Sequence, residues 1–284
     1  MEGYNTDDPI SSRDHRRVAE YIQSTAGIQL PDSKRYLIEG RLRKRQVKLG
    51  YKDLKTYLNF VFESVKGKKE RINLVDAITT NKTDFFRESE HFNFLQEHII
   101  ARLAKKRTLG WTKPLRIWSA GCSSGEEPYT LAMVLREAQI RYPGLRFDIT
   151  ATDISPSVLK IAEQATYPHD RIESIPFALR KRYLLRSIDK SKNLVRMGPE
   201  ICQHVHFSEF NLLKDAFIST QNYDLIFCRN VMIYFSQQDR LALVKRLSES
   251  LSSRGYLFIG HSETLTSECD YLRQKIPAVY QKST

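Results

Sequence analysis

Apolar residues recur at helical spacing through the first hundred positions. Val18, Tyr21 and Ile22 fall on one face of Arg16–Thr25, and Gly27 supplies a stop. A second helix is predicted after Pro31, capped by Asp32 or Ser33 and ended by Gly50. Asp53 caps a third over Leu54–Val65. After a basic spacer, Lys66–Lys69, the positions Ile72, Val75 and Ile78 mark a fourth, and Glu88–Lys106 forms a longer fifth. No strand signal precedes Trp111.

From Lys113 the pattern changes to short apolar runs alternating with amphipathic segments. Leu115–Ser119, Phe147–Thr152, Val205–Phe210, Leu225–Cys228 and Tyr256–Ile259 read as strands. Helices are predicted over Glu126–Ile140, over Ser155–Ala165 with Pro156 at its first position, and over Gln237–Leu251. Such alternation implies a parallel, doubly wound α/β sheet that binds ligands at the carboxyl ends of its strands. Tyr167–Ile201 breaks the rhythm and reads as an insertion.

Composition narrows the classes. Hydrophobic residues at 41% and charged residues at 27% exclude wholesale disorder. No run approaches the roughly 18 apolar residues of a membrane-spanning helix, and Met1–Arg17 carries acids without the apolar core of a secretory signal. The net charge of +12 calls for an anionic partner. Cys122, Cys202, Cys228 and Cys269 are scattered without a CxxC pair, as expected of reduced thiols in a cytoplasmic protein. Between Lys34 and Lys48 lie seven cations (Lys34, Arg35, Arg41, Arg43, Lys44, Arg45, Lys48) and one acid, Glu39. Lys34, Arg41, Lys44, Arg45 and Lys48 form one stripe beside Ile38, Leu42 and Leu49, either a solvated face or a docking surface for something acidic.

Four loops follow strands. Ala120-Gly121-Cys122-Ser123-Ser124-Gly125-Glu126-Glu127 has glycines that let backbone approach a ligand, but lacks the GxGxxG spacing and the lysine of phosphate-binding loops. Two glutamates at the helix entrance favour a ligand with a cationic end. Asp153, at the end of the next strand, suits ribose hydroxyls or a helix cap. Asn211 and Leu212 follow the Val205 strand and suit an adenine. Arg229 and Asn230 follow the Leu225 strand in an apolar neighbourhood, costly unless they meet a partner. Ribose, adenine and a cationic tail without phosphate together describe S-adenosylmethionine. Cys202, His204 and His206 alternate but lack a fourth metal ligand, so no metal is expected. His261 either lines the cleft or makes a structural hydrogen bond, and Ser123 and Ser124 do not form a GxSxG elbow.

The segments TTNKTDFFRE, IWSAGCSSGEEPYTLA, FCRNVMIYF and GYLFIGHSE, in this order, resemble the CheR-type chemotaxis-receptor methyltransferases from about Val18 to Tyr280. The resemblance implies a Rossmann-like S-adenosylmethionine-dependent methyltransferase domain with a small antiparallel β-subdomain, preceded by an all-α N-terminal domain. The domains are expected over 1–107 and 108–284, with the β-subdomain near 167–201. It implies methyl transfer to glutamate side chains of bacterial chemoreceptors, with S-adenosylhomocysteine as product. Matched to the family's motifs, Asn81, Thr83 and Arg87 reach from the N-terminal domain into the cofactor cleft. Ala120, Gly121, Glu127, Asp153, Asn211, Leu212, Arg229 and Asn230 hold the cofactor, and Arg87 and Tyr234 flank the transferring methyl. Arg41, Lys44, Arg45 and Lys48 would then dock the glutamate-rich methylation helices of the receptor. A monomer is expected. Docking of a receptor C-terminal peptide on the β-subdomain stays open, because the turn RSIDKSKNL (Arg186–Leu194) lacks glycine. The alternatives are a nucleic-acid methyltransferase, disfavoured by Arg229-Asn230-Val231-Met232 where base chemistry would place an acidic or prolyl motif with a stacking aromatic, and a non-catalytic relative of the same fold.

Overall fold

The structure, a computed structural model, describes residues 9–106, 109–217, 222–265 and 269–283. The chain forms two compact units, residues 1–80 with 234–239 and residues 81–233 with 240–284. The boundary expected at 107/108 falls outside the described residues, and the units divide at Thr80/Asn81 instead. Packing explains the shift. Phe85, Phe92, Leu95, Ile99 and Ile100 share one buried cluster with Leu115, Ile117 and Ile149, so the apolar face of this segment belongs to the sheet.

The first unit holds α1 (Ser12–Ala26), α2 (Arg35–Lys48), α3 (Leu54–Glu63) and α4 (Gly67–Ile78). Ser11 and Asp53 cap α1 and α3 by accepting backbone N–H groups, each worth about 1 kcal/mol. Val18, Ile22, Ile38, Leu42, Leu58, Val61 and Leu74 are buried, as helical spacing requires. The start of α2 differs from expectation. Asp32–Lys34 form a 3-10 turn closed by the Lys34 N–H on the Pro31 carbonyl, and α2 begins at Arg35 without a side-chain cap.

The second unit opens with α5 (Glu90–Phe94) and α6 (Ala101–Lys106), joined by a π turn over Leu95–Ile100. The helix expected over Glu88–Lys106 starts two residues later, at Glu90, because Phe86 and Glu88 have φ of 55° and 56°, in the left-handed region, and from there the chain stays helical to Lys106 through the π segment. There follow β1 (Leu115–Ala120), α7 (Glu126–Arg141), β2 (Phe147–Asp153), α8 (Pro156–Gln164), β3 (Thr166–Pro168), α9 (Phe177–Tyr183), β4 (Leu184–Arg186) and β5 (Leu194–Met197). The chain ends with α10 (Pro199–Cys202), β6 (Val205–Glu209), β7 (Tyr223–Cys228), α11 (Gln237–Ser250), β8 (Leu251–Ile259), β9 (Leu272–Ile276) and β10 (Val279–Lys282). Seven strands form one sheet ordered β6-β2-β1-β7-β8-β10-β9. The first five are parallel, and β10 runs antiparallel to β8 and β9.

Every residue of β7 is buried, as befits a central parallel strand covered on both faces. Strand order reverses at β1, with β2 on one side and β7 on the other, so the loops after β1 and β7 flank the switch point where such sheets bind ligands. The expected β-subdomain is the antiparallel sheet β3-β5-β4. Cys202 lies in α10 and β6 starts at Val205, so Cys202, His204 and His206 do not share one strand face. The His204 ring instead packs 4.3 Å from that of Phe147.

Candidate functional site

The loop after β1 turns on three left-handed residues, Gly121 (φ 83°), Ser123 (49°) and Gly125 (96°). The N–H groups of Gly121 and Cys122 both donate to the Thr152 carbonyl, at 2.8 and 2.9 Å, which ties the loop to the end of β2. A Cβ at Gly121 would stand 2.5 Å from Val231 Cγ2, in the loop after β7. Gly121→Ala is therefore expected to lower the melting temperature through left-handed strain of about 1–2 kcal/mol and through this clash. Scanning calorimetry should show partial recovery when Val231→Ala is added, because the clash goes and the strain stays.

Asp153 closes β2 and is buried. Its Oδ2 accepts the Ser123 N–H at 2.8 Å and its Oδ1 the Ser155 N–H at 3.0 Å. One carboxylate thus braces the glycine loop and the turn into α8, while Ser155 itself caps that helix.

Arg229, after β7, is the hub of the site, with its side chain 2% exposed. One Nη donates to Glu127 Oε2 at 3.2 Å, and the other to Glu88 Oε2 at 3.0 Å and to the Arg87 carbonyl. Glu127 also accepts from Ser119 Oγ at 2.7 Å. Burial pushes the Glu127 carboxyl above the usual range, against the pull of Arg229 and Ser119. Burial acts on Glu88 in the same sense. There Arg229, the His261 N–H and Asn230 outweigh it and hold Glu88 below the usual range. Glu126 is not bare either, for Arg171 pairs with it at 2.6 Å. The two glutamates read as favouring a ligand with a cationic end are thus both paired, Glu126 with Arg171 and Glu127 with the Arg229 that it shares with Glu88.

Asn230, with φ of 58°, is pinned by Glu263, whose Oε2 accepts the N–H groups of Asn230 at 3.0 Å and Gly260 at 2.6 Å. Glu88 and Glu263 were not among the residues singled out in the sequence. Each lies inside a motif segment, FFRE for Glu88 and GHSE for Glu263. Arg87 and Ser89 flank Glu88, and Ser262 and Thr264 flank Glu263, so no local pattern marks either acid as buried. His261 is exposed, its backbone N–H donates to Glu88 Oε1 at 3.2 Å, and its ring lies edge-on to that of His91. Glu88, His91 and His261 bring three potential ligand atoms within 4.8 Å of one another, but both Glu88 oxygens already serve Arg229, Asn230 and the His261 N–H.

Asn81, Thr83 and Arg87 belong to the second unit and not to the N-terminal domain. They are held through their carbonyls, Asn81 by Ser123 Oγ at 3.0 Å, Thr83 by Arg171 at 2.8 Å and Arg87 by Arg229. The half-buried Arg87 guanidinium donates to the Lys82 carbonyl at 3.2 Å. Ala120 is buried at the end of β1, and Leu212 is buried at the turn after β6. Asn211 Oδ1 accepts from the N–H groups of Leu213 and Lys214 and so shapes that turn.

The remaining candidates lie in the first unit. Tyr234 ends a 3-10 turn, accepts the Gln29 N–H on its carbonyl at 2.8 Å, and lies with its ring 5.5 Å from Lys34 Nζ. Arg41 donates to the carbonyls of Ile78 and Thr79 and to Thr80 Oγ1. Arg45 forks Glu70, which also accepts from Tyr57 at 3.1 Å and Asn73 at 2.9 Å. Of the four docking candidates, Lys44 and Lys48 are exposed, while Arg41 and Arg45 hold the helices of their own unit together.

Comparison with known proteins bears on both units. The family described as CheR methyltransferase, SAM binding domain, matches residues 81–279, and CheR methyltransferase, all-alpha domain, matches residues 13–79. A chemotaxis protein methyltransferase of Borreliella burgdorferi is 39% identical over 281 residues, spanning 99% of this chain and 98% of the relative. That of Escherichia coli is 37% identical, spanning 90% and 86%. Chemotaxis protein methyltransferase 2 of Pseudomonas aeruginosa is 37% identical, spanning 94% and 92%.

Proposed function

The chain belongs to the CheR methyltransferase family, and from that premise we propose that it methylates glutamate side chains of bacterial chemoreceptors, forming γ-methyl esters. The observation that carries this reading is the constellation at the ends of β1, β2 and β7. There a glycine loop, a braced Asp153 and the Glu88–Arg229–Glu127 bridge meet at the switch point of the sheet. The donor set fits S-adenosylmethionine. Carboxylates and carbonyls offer acceptors for ribose hydroxyls and an ammonium, and the glycine loop carries no lysine or arginine for a phosphate. Asp153, Glu127, Asn211 and the backbone of Ala120 and Gly121 would hold it. Asn81, Thr83, Leu212, Arg229 and Asn230 complete the proposed surround.

When bound, S-adenosylmethionine supplies a methyl group on a sulfonium cation. The acceptor glutamate is already ionised near neutral pH, with an ordinary pKa of about 4.3, so no general base is required. The task left to the chain is orientation, worth roughly 7–11 kcal/mol in well-aligned systems. Besides the bond to the Lys82 carbonyl, Arg87 has further guanidinium donors to hold the acceptor carboxylate. Tyr234 is proposed beside the methyl on the motif resemblance alone. No helix among the described residues is long and apolar enough to cross a membrane, and we place the enzyme in the cytoplasm, acting as a monomer on the receptor's cytoplasmic helices.

Methyl-tritiated S-adenosylmethionine incubated with receptor-bearing membranes tests the reaction. Label released as methanol by mild alkali is expected, whereas alkali-stable label on protein or RNA would move the reading to nitrogen or nucleic-acid methylation. Arg87→Ala and Tyr234→Phe should each reduce turnover with cofactor affinity retained for Tyr234→Phe.

Docking through α2 now rests on Lys44 and Lys48. Lys44→Glu with Lys48→Glu is expected to raise KM for receptor several-fold, most strongly at low salt, with the melting temperature unchanged. Arg45→Ala should instead lower stability, since it leaves Glu70 buried without its cation. Equal KM for the lysine variant and the parent at every salt concentration would remove α2 from the docking surface.

A further inference from the structure

A second charged site lies on the antiparallel end of the large sheet. The pairing of β8, β10 and β9 puts Tyr256, Gln281 and Arg273 side by side in one cross-strand row, and Lys275, at the break in register that follows, lines the same cavity. Arg102, from α6, reaches this row with Nη2 2.9 Å from the Tyr256 hydroxyl and its guanidinium 5.7 Å from the ring centre. Arg254 adopts a left-handed φ of 61°, and its carbonyl accepts from Gln281 Nε2 at 3.0 Å. These residues, with Lys282 and Ser283, line a cavity of about 270 Å³.

The cavity gathers Arg102, Arg254, Arg273, Lys275 and Lys282, and none of the five has a carboxylate within ion-pair distance among the described residues. The hydroxyl oxygen of Ser283 is enclosed in the same wall, without a hydrogen-bond partner among the described residues. Protection of an edge strand accounts for Arg273 and Lys275, which stand on β9 at the margin of the sheet. It does not account for Arg102 and Arg254, which converge on the same cavity from a helix and from an interior strand. Five like charges in one concavity repel one another and lower stability unless an anion joins them.

We propose that this cavity is a binding site for a phosphate group, carried by a polyphosphate-type small molecule or by a lipid headgroup. A carboxylate occupies one guanidinium, whereas a phosphate offers three oxygens and can take several forks at once, which matches three arginines and two lysines around a small volume. The site is separate from the proposed methyl-transfer chemistry and is tested without it.

Pyrophosphate is titrated into the full chain by calorimetry at low ionic strength, and its effect on melting temperature is followed in parallel. Binding with a rise in melting temperature is expected. Arg273→Glu with Lys275→Glu should weaken it by tenfold or more, and the neutral pair Arg273→Gln with Lys275→Gln should weaken it less. Lys68→Glu with Lys69→Glu, which reverses as much charge on the exposed first turn of α4, should leave it unchanged. Flotation with phosphatidylglycerol and phosphatidylcholine vesicles separates the two carriers. Retention on the anionic vesicles, lost in the Arg273/Lys275 variants, assigns a lipid headgroup, and pyrophosphate binding without retention assigns a soluble phosphate. No binding to either probe, or equal weakening by the Lys68/Lys69 variant, overturns the site.

Discussion

Arg229→Met is expected to cost about 3–5 kcal/mol, because it strips the cation from two carboxylates while they stay buried. Methionine keeps the unbranched stem of Arg229 against Phe92, over whose ring the guanidinium now sits at 5.4 Å. The loss is therefore one of charge more than of packing. With about 2–4 °C per kcal/mol for a chain of this size, the melting temperature should fall by roughly 10 °C. The pH dependence identifies the cause. Once Arg229 is gone, burial, the largest influence on both carboxyls, is opposed only by the hydrogen bonds from Ser119 to Glu127 and from the His261 N–H and Asn230 to Glu88, and both are expected above their unfolded values. A carboxyl with a raised folded pKa binds a proton more readily in the native state, so the variant gains stability as pH falls from 8 toward 5. Adding Glu127→Gln should recover part of the deficit at pH 8, since one of the two stranded charges is then neutral. Urea midpoints at pH 5.5 and 8 decide the matter. A variant with the parent's midpoint at both would mean that Arg229 does not neutralise these acids. Cofactor affinity should fall with stability, because the same arginine fixes the Arg87 carbonyl and the Glu88 side chain.

What the sequence revealed follows from the range of the forces involved. Helices α1 and α3 and the parallel strands were legible because their caps and apolar periods are local. The hairpin β9–β10 was not. Arg273, Gln274 and Lys275 are exposed on an edge strand, so LRQKI carries almost no apolar signal. The true boundary at Thr80/Asn81 was hidden because the helical pattern of Phe92, Leu95 and Ile99 gives a face without saying which core receives it. At the site, Asp153, Glu127 and Arg229 were found from strand ends and motif order. Glu88 and Glu263 act through partners 141 and 33 residues away, as Arg229 and Asn230, and no local pattern encodes such pairings. The basic stripe of α2 misled for a related reason. Charge counting cannot tell Arg45, spent on Glu70, from Lys48, which faces solvent.

His91 sets the second large expectation, a loss of stability on mild acidification that one substitution removes. Its side chain is fully buried, and among the described residues neither ring nitrogen has a hydrogen-bond partner, with Glu88 Oε2 standing 3.6 Å from Nδ1. Its ring lies edge-on to those of Phe258 at 5.7 Å and His261 at 4.8 Å. Burial lowers its pKa to about 3, the Arg229 charge acts in the same direction, and Glu88 only partly opposes them. The folded pKa is thus depressed below the unfolded value of about 6.5. The stability concerned is fully present above pH 6.5 and is lost as pH falls toward 3, because the unfolded chain takes up a proton that the native state refuses. At pH 5 this amounts to about 2 kcal/mol relative to pH 8, at 1.4 kcal/mol per pH unit beyond the unfolded pKa. His91→Leu is close in size and forfeits no hydrogen bond. It should be near neutral at pH 8 and more stable than the parent by about 2 kcal/mol at pH 5. Parallel urea-unfolding curves for the two proteins across pH 5–8 would show that His91 titrates freely. Divergence below pH 6.5 would mean that the site keeps this imidazole neutral, leaving Arg229 as the single cation shared by Glu88 and Glu127.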